Sequence, residues 1–99
     1  MVLEHALITV RPGAQADFEV ALVEARKVIS AAPGFLSFAI HRGIESPERY
    51  LLLVGWETLE AHTEGFREST AFAEWRSHIQ PFFDGPPDVD HYDPVHVPS

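Results

Sequence analysis

His62, Arg67 and Arg76 are the side chains of this chain best suited to acid–base work on a small molecule, and Trp56 and Trp75 are best suited to hold one. Histidine titrates near neutral pH and is a natural proton acceptor. Arginine stays charged at any working pH and stabilises an anion formed beside it. Indole faces stack on aromatic rings. A base, a cation and apolar walls suffice to deprotonate a weakly acidic small molecule and to hold its anion away from water. His62 stands between Leu59 and Phe66 at helical spacing, so it is expected to point inward, as base or orienter. Phe66, Phe38 and His41 complete the candidate pocket, with Trp56 and Trp75 as its walls. Plainer roles compete for each residue: a backbone-bonded structural histidine for His62, an ion pair with Glu64 or Glu68 for Arg67, a solvated helix face for Arg76, and core packing for the aromatics.

Other chemistries lack their residues. There is no cysteine, which removes disulfides, thiolate metal sites and cysteine nucleophiles. None of the six histidines pairs at i, i+2 on a strand or i, i+4 on a helix, so no metal is expected. No glycine-rich phosphate loop and no G-x-S-x-G elbow occurs, so no nucleotide cofactor is implied. Fifteen acidic residues against seven basic ones give a net charge of −8, which disfavours nucleic acid and anionic membrane as partners. No stretch is long enough to span a bilayer and no signal-like start is seen. A cytoplasmic protein of one domain, residues 1–99, is expected.

The elements that must position these residues follow from periodicity. Residues 2–10 alternate as a strand with two largely apolar faces: Leu3, His5, Leu7 and Thr9 on one, Glu4, Ala6, Ile8 and Val10 on the other. Residues 15–32 switch to helical spacing through Phe18, Leu22, Ala25, Val28 or Ile29, and Ala32, ended by Pro33-Gly34. Residues 35–43 and 49–57 form a hairpin, with Phe35, Ser37, Ala39 and His41 sharing a face. Thr58 is the expected cap of a short helix and Ser69 of the next, whose stripe is Phe72, Trp75 and Ile79. Residues 88–97 read as a final strand, demoted by Pro94 to an edge or to a strand whose amide faces outward.

This order, β-α-β-β-α-β, predicts an α+β ferredoxin-like fold: a four-stranded antiparallel sheet with helices on one face. The other face is then apolar and uncovered. A patch of that kind exceeds the few hundred Å² usual for a monomer, which predicts a homodimer joined through the sheet face.

Trp56-Glu57-Thr58-Leu59-Glu60-Ala61-His62, Gly65-Phe66-Arg67-Glu68-Ser69, Phe72-Ala73-Glu74-Trp75-Arg76 and Pro81-Phe82-Phe83, with Arg11-Pro12-Gly13 and Val89-Asp90-His91-Tyr92, resemble the antibiotic biosynthesis monooxygenase family over nearly the whole chain. The resemblance implies a dimeric α+β barrel with a pocket between sheet and helices in each subunit. It implies, for some members, oxidation of phenolic polyketides or quinols by molecular oxygen without metal or flavin, and for others degradation of haem. An ungapped alignment puts Ala6, Phe66 and Arg76 where haem degraders carry Asn, Trp and the iron-ligating His, with His78 a weak substitute; these departures weigh against haem. The reading is a monooxygenase that uses no cofactor on a small aromatic, with His62, Arg67 and Arg76 catalytic and Trp56, Trp75, Phe66, Phe38 and His41 binding the substrate. The alternative is a non-catalytic dimer of the same fold that binds a small hydrophobic ligand or serves a stress response.

Overall fold

A computed structural model describes residues 1–99. The elements are β1 (Val2–Thr9), α1 (Gln15–Ser30), β2 (Phe35–Arg42), β3 (Arg49–Trp56), a wide helical turn (Ala61–Phe66), α2 (Thr70–Ile79), a short 3₁₀ turn (Gln80–Phe82) and β4 (Asp88–Tyr92). The strands form one antiparallel sheet in the order β2-β3-β1-β4, the ferredoxin-like α+β arrangement. No helix is long and apolar enough to cross a membrane.

Period-2 alternation decides which side chains meet the helices. Glu4, Ala6, Ile8 and Val10 of the β1 segment and Tyr50, Leu52, Val54 and Trp56 of β3 are all buried. All but Glu4 pack with Phe18, Leu22, Ala25 and Ile29, a single stripe along α1, and with Trp75 and Ile79 of α2. Leu3, Leu7, Leu51 and Leu53 occupy the opposite, helix-free face. Leu7 and Tyr92 there remain 42% and 50% exposed.

Local structure departs from simple periodicity in four places. A bulge between Phe35 and Ser37 pairs Phe35 with Trp56 and Phe38 with Val54, so Phe35 joins the helix-side face instead of Ser37's. The segment after Thr58 is not an ordinary α-helix. The Thr58 hydroxyl accepts the Ala61 N–H as expected, but the Arg67 N–H then bonds the His62 carbonyl five residues back, and Leu59 is left exposed. Ser69 begins α2 with extended dihedrals, yet its hydroxyl donates back to the Phe66 carbonyl and caps nothing. The last strand stops at Tyr92 instead of residue 97, before the proline whose missing N–H would break the ladder.

Gly34 fixes how closely the wide turn sits against the start of β2. Its φ is +84°, and a Cβ built there lies 2.7 Å from the Cβ of Ala61. Gly34→Ala is expected to cost about 1–3 kcal/mol, because the left-handed backbone and the contact both resist a methyl group. A shift of the urea midpoint checks this; an unchanged midpoint would show that the turn yields freely.

Candidate active site

A cavity of about 650 Å³ opens between the sheet and the second helical segment. This lies within the range of small-molecule sites. Ala6, Ile8 and Leu52 form its sheet wall, and Phe66, Phe72, Trp75 and Ile79 its helical wall. Gly85, Pro86 and Pro87 lie along it after the 3₁₀ turn. One end is polar, built from Glu4, His62 and Arg67.

Strand pairing assembles that polar end. Glu4 sits opposite Val54 on β3 and opposite His91 on β4, all on the helix side. Trp56, two residues beyond Val54, donates its indole N–H to Glu4 Oε1 at 3.0 Å. The wide turn lowers His62 over the same carboxyl: its Nε2 is 3.3 Å from Glu4 Oε1, and its Nδ1 is 2.7 Å from His91 Nε2. His62 stacks on Trp56, with ring centroids 5.2 Å apart and planes 15° apart. Phe66 packs against Trp56, Phe72 and Trp75. The π-type turn brings His62, Phe66 and Arg67 to the same cavity, a distortion often found at functional sites.

Burial sets the electrostatics. Glu4 and His62 are 6% and 3% exposed. Burial pushes the Glu4 carboxyl above its ordinary range, against the opposing pull of the Trp56 N–H and the Arg67 charge. Burial, with Arg67 and His91 adding to it, lowers His62 to about 4. His91 is also lowered, by burial and then Arg67, with Asp90 opposing. His62 is therefore neutral at pH 7. A neutral imidazole donates from one nitrogen and accepts at the other, which suits a ring lodged between Glu4 and His91.

The structure sorts the residues singled out from the sequence. His62, Phe66, Arg67, Trp75 and Arg76 line the cavity together. Arg67 forms no ion pair with Glu64, Glu68 or any other carboxylate, and Arg76 lies over the Phe72 ring at 5.6 Å. Trp56 is fully buried behind the wall and reaches the site through Glu4 and His62. Phe38 and His41 do not line it. Phe38 packs edge-on against Trp75 and borders a separate groove beside α1. His41 pairs with Leu51 on the helix-free face and is exposed, because alternation along β2 turns it away. Glu4 and His91 are the two site residues that the sequence pattern does not single out. Glu4 has one signal, a carboxylate sharing a face with Ala6, Ile8 and Val10; His91 has none without the strand order. No group of three histidine or acidic side chains is placed to hold a metal ion.

Comparison with known proteins agrees with this architecture. A family model described as antibiotic biosynthesis monooxygenase matches residues 1–77. The uncharacterised Bacillus subtilis protein YczJ is 39% identical over 95 residues, covering 96% of this chain and all of that one. A Bordetella bronchiseptica crystal structure, provisionally named an antibiotic biosynthesis monooxygenase, is 43% identical with a TM-score of 0.92, covering 96% of this chain and 97% of that one. SnoaB from Streptomyces nogalater, a cofactor-independent oxygenase, superposes with a TM-score of 0.82 over 97% of this chain and 94% of its own at 17% identity, a likeness of fold.

Proposed function

The chain belongs to the antibiotic biosynthesis monooxygenase family, and from that premise we propose that it is a cofactor-independent monooxygenase that oxidises a small aromatic, a quinol or polyketide-like phenol, with molecular oxygen. The observation that carries this is the Glu4 carboxyl, raised by burial and set at the polar end of an apolar cavity beside the unpaired Arg67. A carboxyl so raised is a better proton acceptor than one in water. SnoaB, of similar fold, is a cofactor-independent oxygenase.

Glu4, more than His62, is then the base. A histidine lowered to about 4 is a weak base at neutral pH, so His62 orients Glu4 and links it to His91. For a hydroxyanthrone methylene, Glu4 takes one C–H proton and Arg67 stabilises the resulting phenolate–carbanion. The anion passes one electron to oxygen, and the radical pair joins as a carbon-bound peroxide, which the Glu4 proton neutralises. Loss of the second C–H proton with departure of hydroxide leaves a carbonyl. One oxygen atom ends in the product, the other in water, and no outside electrons are needed. Oxygen uptake with a panel of quinols and hydroxyanthrones tests this; turnover supports it, and binding without turnover across the panel favours a ligand-binding protein.

We treat residues 1–99 as one domain of this family that works as a homodimer. The leucines on the helix-free face support this, since a second sheet would remove them from water. Sedimentation equilibrium at low micromolar concentration is expected to give a dimer, and Leu53→Arg a monomer. A wild-type monomer would contradict the pairing.

A further inference from the structure

We propose that Arg76 anchors a carboxylate on the ligand, so that this cavity selects an apolar carboxylic acid over its neutral counterpart. The inference rests on reading the cavity as the substrate site. The chain has only seven cationic side chains, and their placement is uneven. Lys27 pairs with Glu24 at 3.0 Å and Arg42 with Glu19 at 3.1 Å. Arg26 lies over Phe38 at 5.6 Å, outside the cavity. Arg67 and Arg76 both line the cavity, and neither has a carboxylate within ion-pair distance. Of the fifteen acids only Glu4 joins them. In a protein of net charge −8, this large apolar cavity is thus locally positive.

The two arginines do different work. Arg67 sits where its charge acts on Glu4, His62 and His91. Arg76 perturbs none of the three and instead extends over Phe72 on α2. A guanidinium placed over an aromatic ring keeps its N–H donors available, and two of them can meet a carboxylate in parallel bonds. A ligand that fills the cavity would place its reacting carbon by Glu4 and its permanent anion by Arg76. Binding energy gained away from the reacting centre fixes the ligand's orientation at that centre.

The test compares 2-naphthoate with 2-naphthylmethanol, near-isosteric probes that differ in charge, by calorimetric titration of the full chain. Wild type is expected to prefer the naphthoate by about tenfold or more. Arg76→Met should remove the preference while leaving the alcohol's affinity unchanged, and Arg26→Met should alter neither. Equal affinities in wild type, no binding of either probe, or a preference that survives Arg76→Met would each overturn the assignment. A preference lost only in Arg67→Met would move the anion to the catalytic end and also overturn it. These titrations consume no oxygen. Absent turnover with the naphthoate preference intact would sink the oxygenase reading alone; turnover without the preference would sink the anion anchor alone.

Discussion

Glu4→Gln is expected to lower oxygen consumption by about 10²- to 10⁴-fold, the usual contribution of a positioned general base. The substitution is close to isosteric. The amide oxygen can still accept the Trp56 N–H that now holds Oε1 at 3.0 Å, so the cavity wall should survive. What disappears is the lone pair that takes the proton. His62→Gln is expected to be milder, because His62 is already neutral at pH 7 and a glutamine can keep a hydrogen bond to one neighbour. The assay is oxygen uptake on the best substrate of the panel, with near-ultraviolet circular dichroism to confirm packing. A Glu4→Gln enzyme of wild-type rate would remove Glu4 from the chemistry.

The second large effect is on stability against pH. His62 is lowered from 6.5 to about 4 in the folded chain. Between those values the unfolded chain binds a proton that the folded one refuses, so stability is fully present above 6.5 and is lost as pH falls toward 4. At about 1.4 kcal/mol per unit the loss is about 3 kcal/mol. His91 has the same sign. Glu4 has the opposite sign: its folded carboxyl is raised from 4.5, so its contribution is greatest below 4.5 and fades as pH rises through the folded value. The two partly cancel in the wild type. Glu4→Gln removes the opposing contribution and should expose the full histidine slope in urea titrations from pH 7 to 4. The double variant Glu4→Gln/His62→Gln should lose the His62 share of that slope and keep only the share of His91. Equal slopes in the two variants would mean that His62 is not held neutral.

Much of the scaffold is legible in the order of residues alone. Alternation along β1 and β3, and the Phe18-Leu22-Ala25-Ile29 stripe of α1, are period signals written in side-chain chemistry, and they yield the element order and the sheet's two faces. The departures lie where geometry is set by more than period. The bulge at Leu36 reverses the face of Phe35, which strict counting cannot anticipate. The Ala61–Phe66 turn reads as ordinary helix because His62 and Phe66 suit either geometry.

The candidate site is half legible. His62, Arg67 and Arg76 stand in one chemically suggestive stretch, and all three reach the cavity. Glu4 lies 58 positions before His62 and His91 29 positions after it, and only the β1–β4 register and the Trp56 bond bring them together. A lone glutamate in a strand ordinarily marks a solvent edge. Its apolar face-mates are the clue that it is instead a buried acid. His41 and Phe38 show the converse: both have suitable chemistry, and strand direction and packing turn them elsewhere.

The most direct measurement leaves oxygen out. A hydroxyanthrone whose anion, formed by loss of a methylene proton, has a distinct absorption band is titrated with the protein at pH 7 under anaerobic conditions. Proton abstraction at the polar end of the cavity predicts that the anion's band grows with wild type and fails to appear with Glu4→Gln at equal occupancy. A bound ligand that stays neutral in the wild type, or that ionises equally with Glu4→Gln, would contradict the assignment of Glu4 as the base.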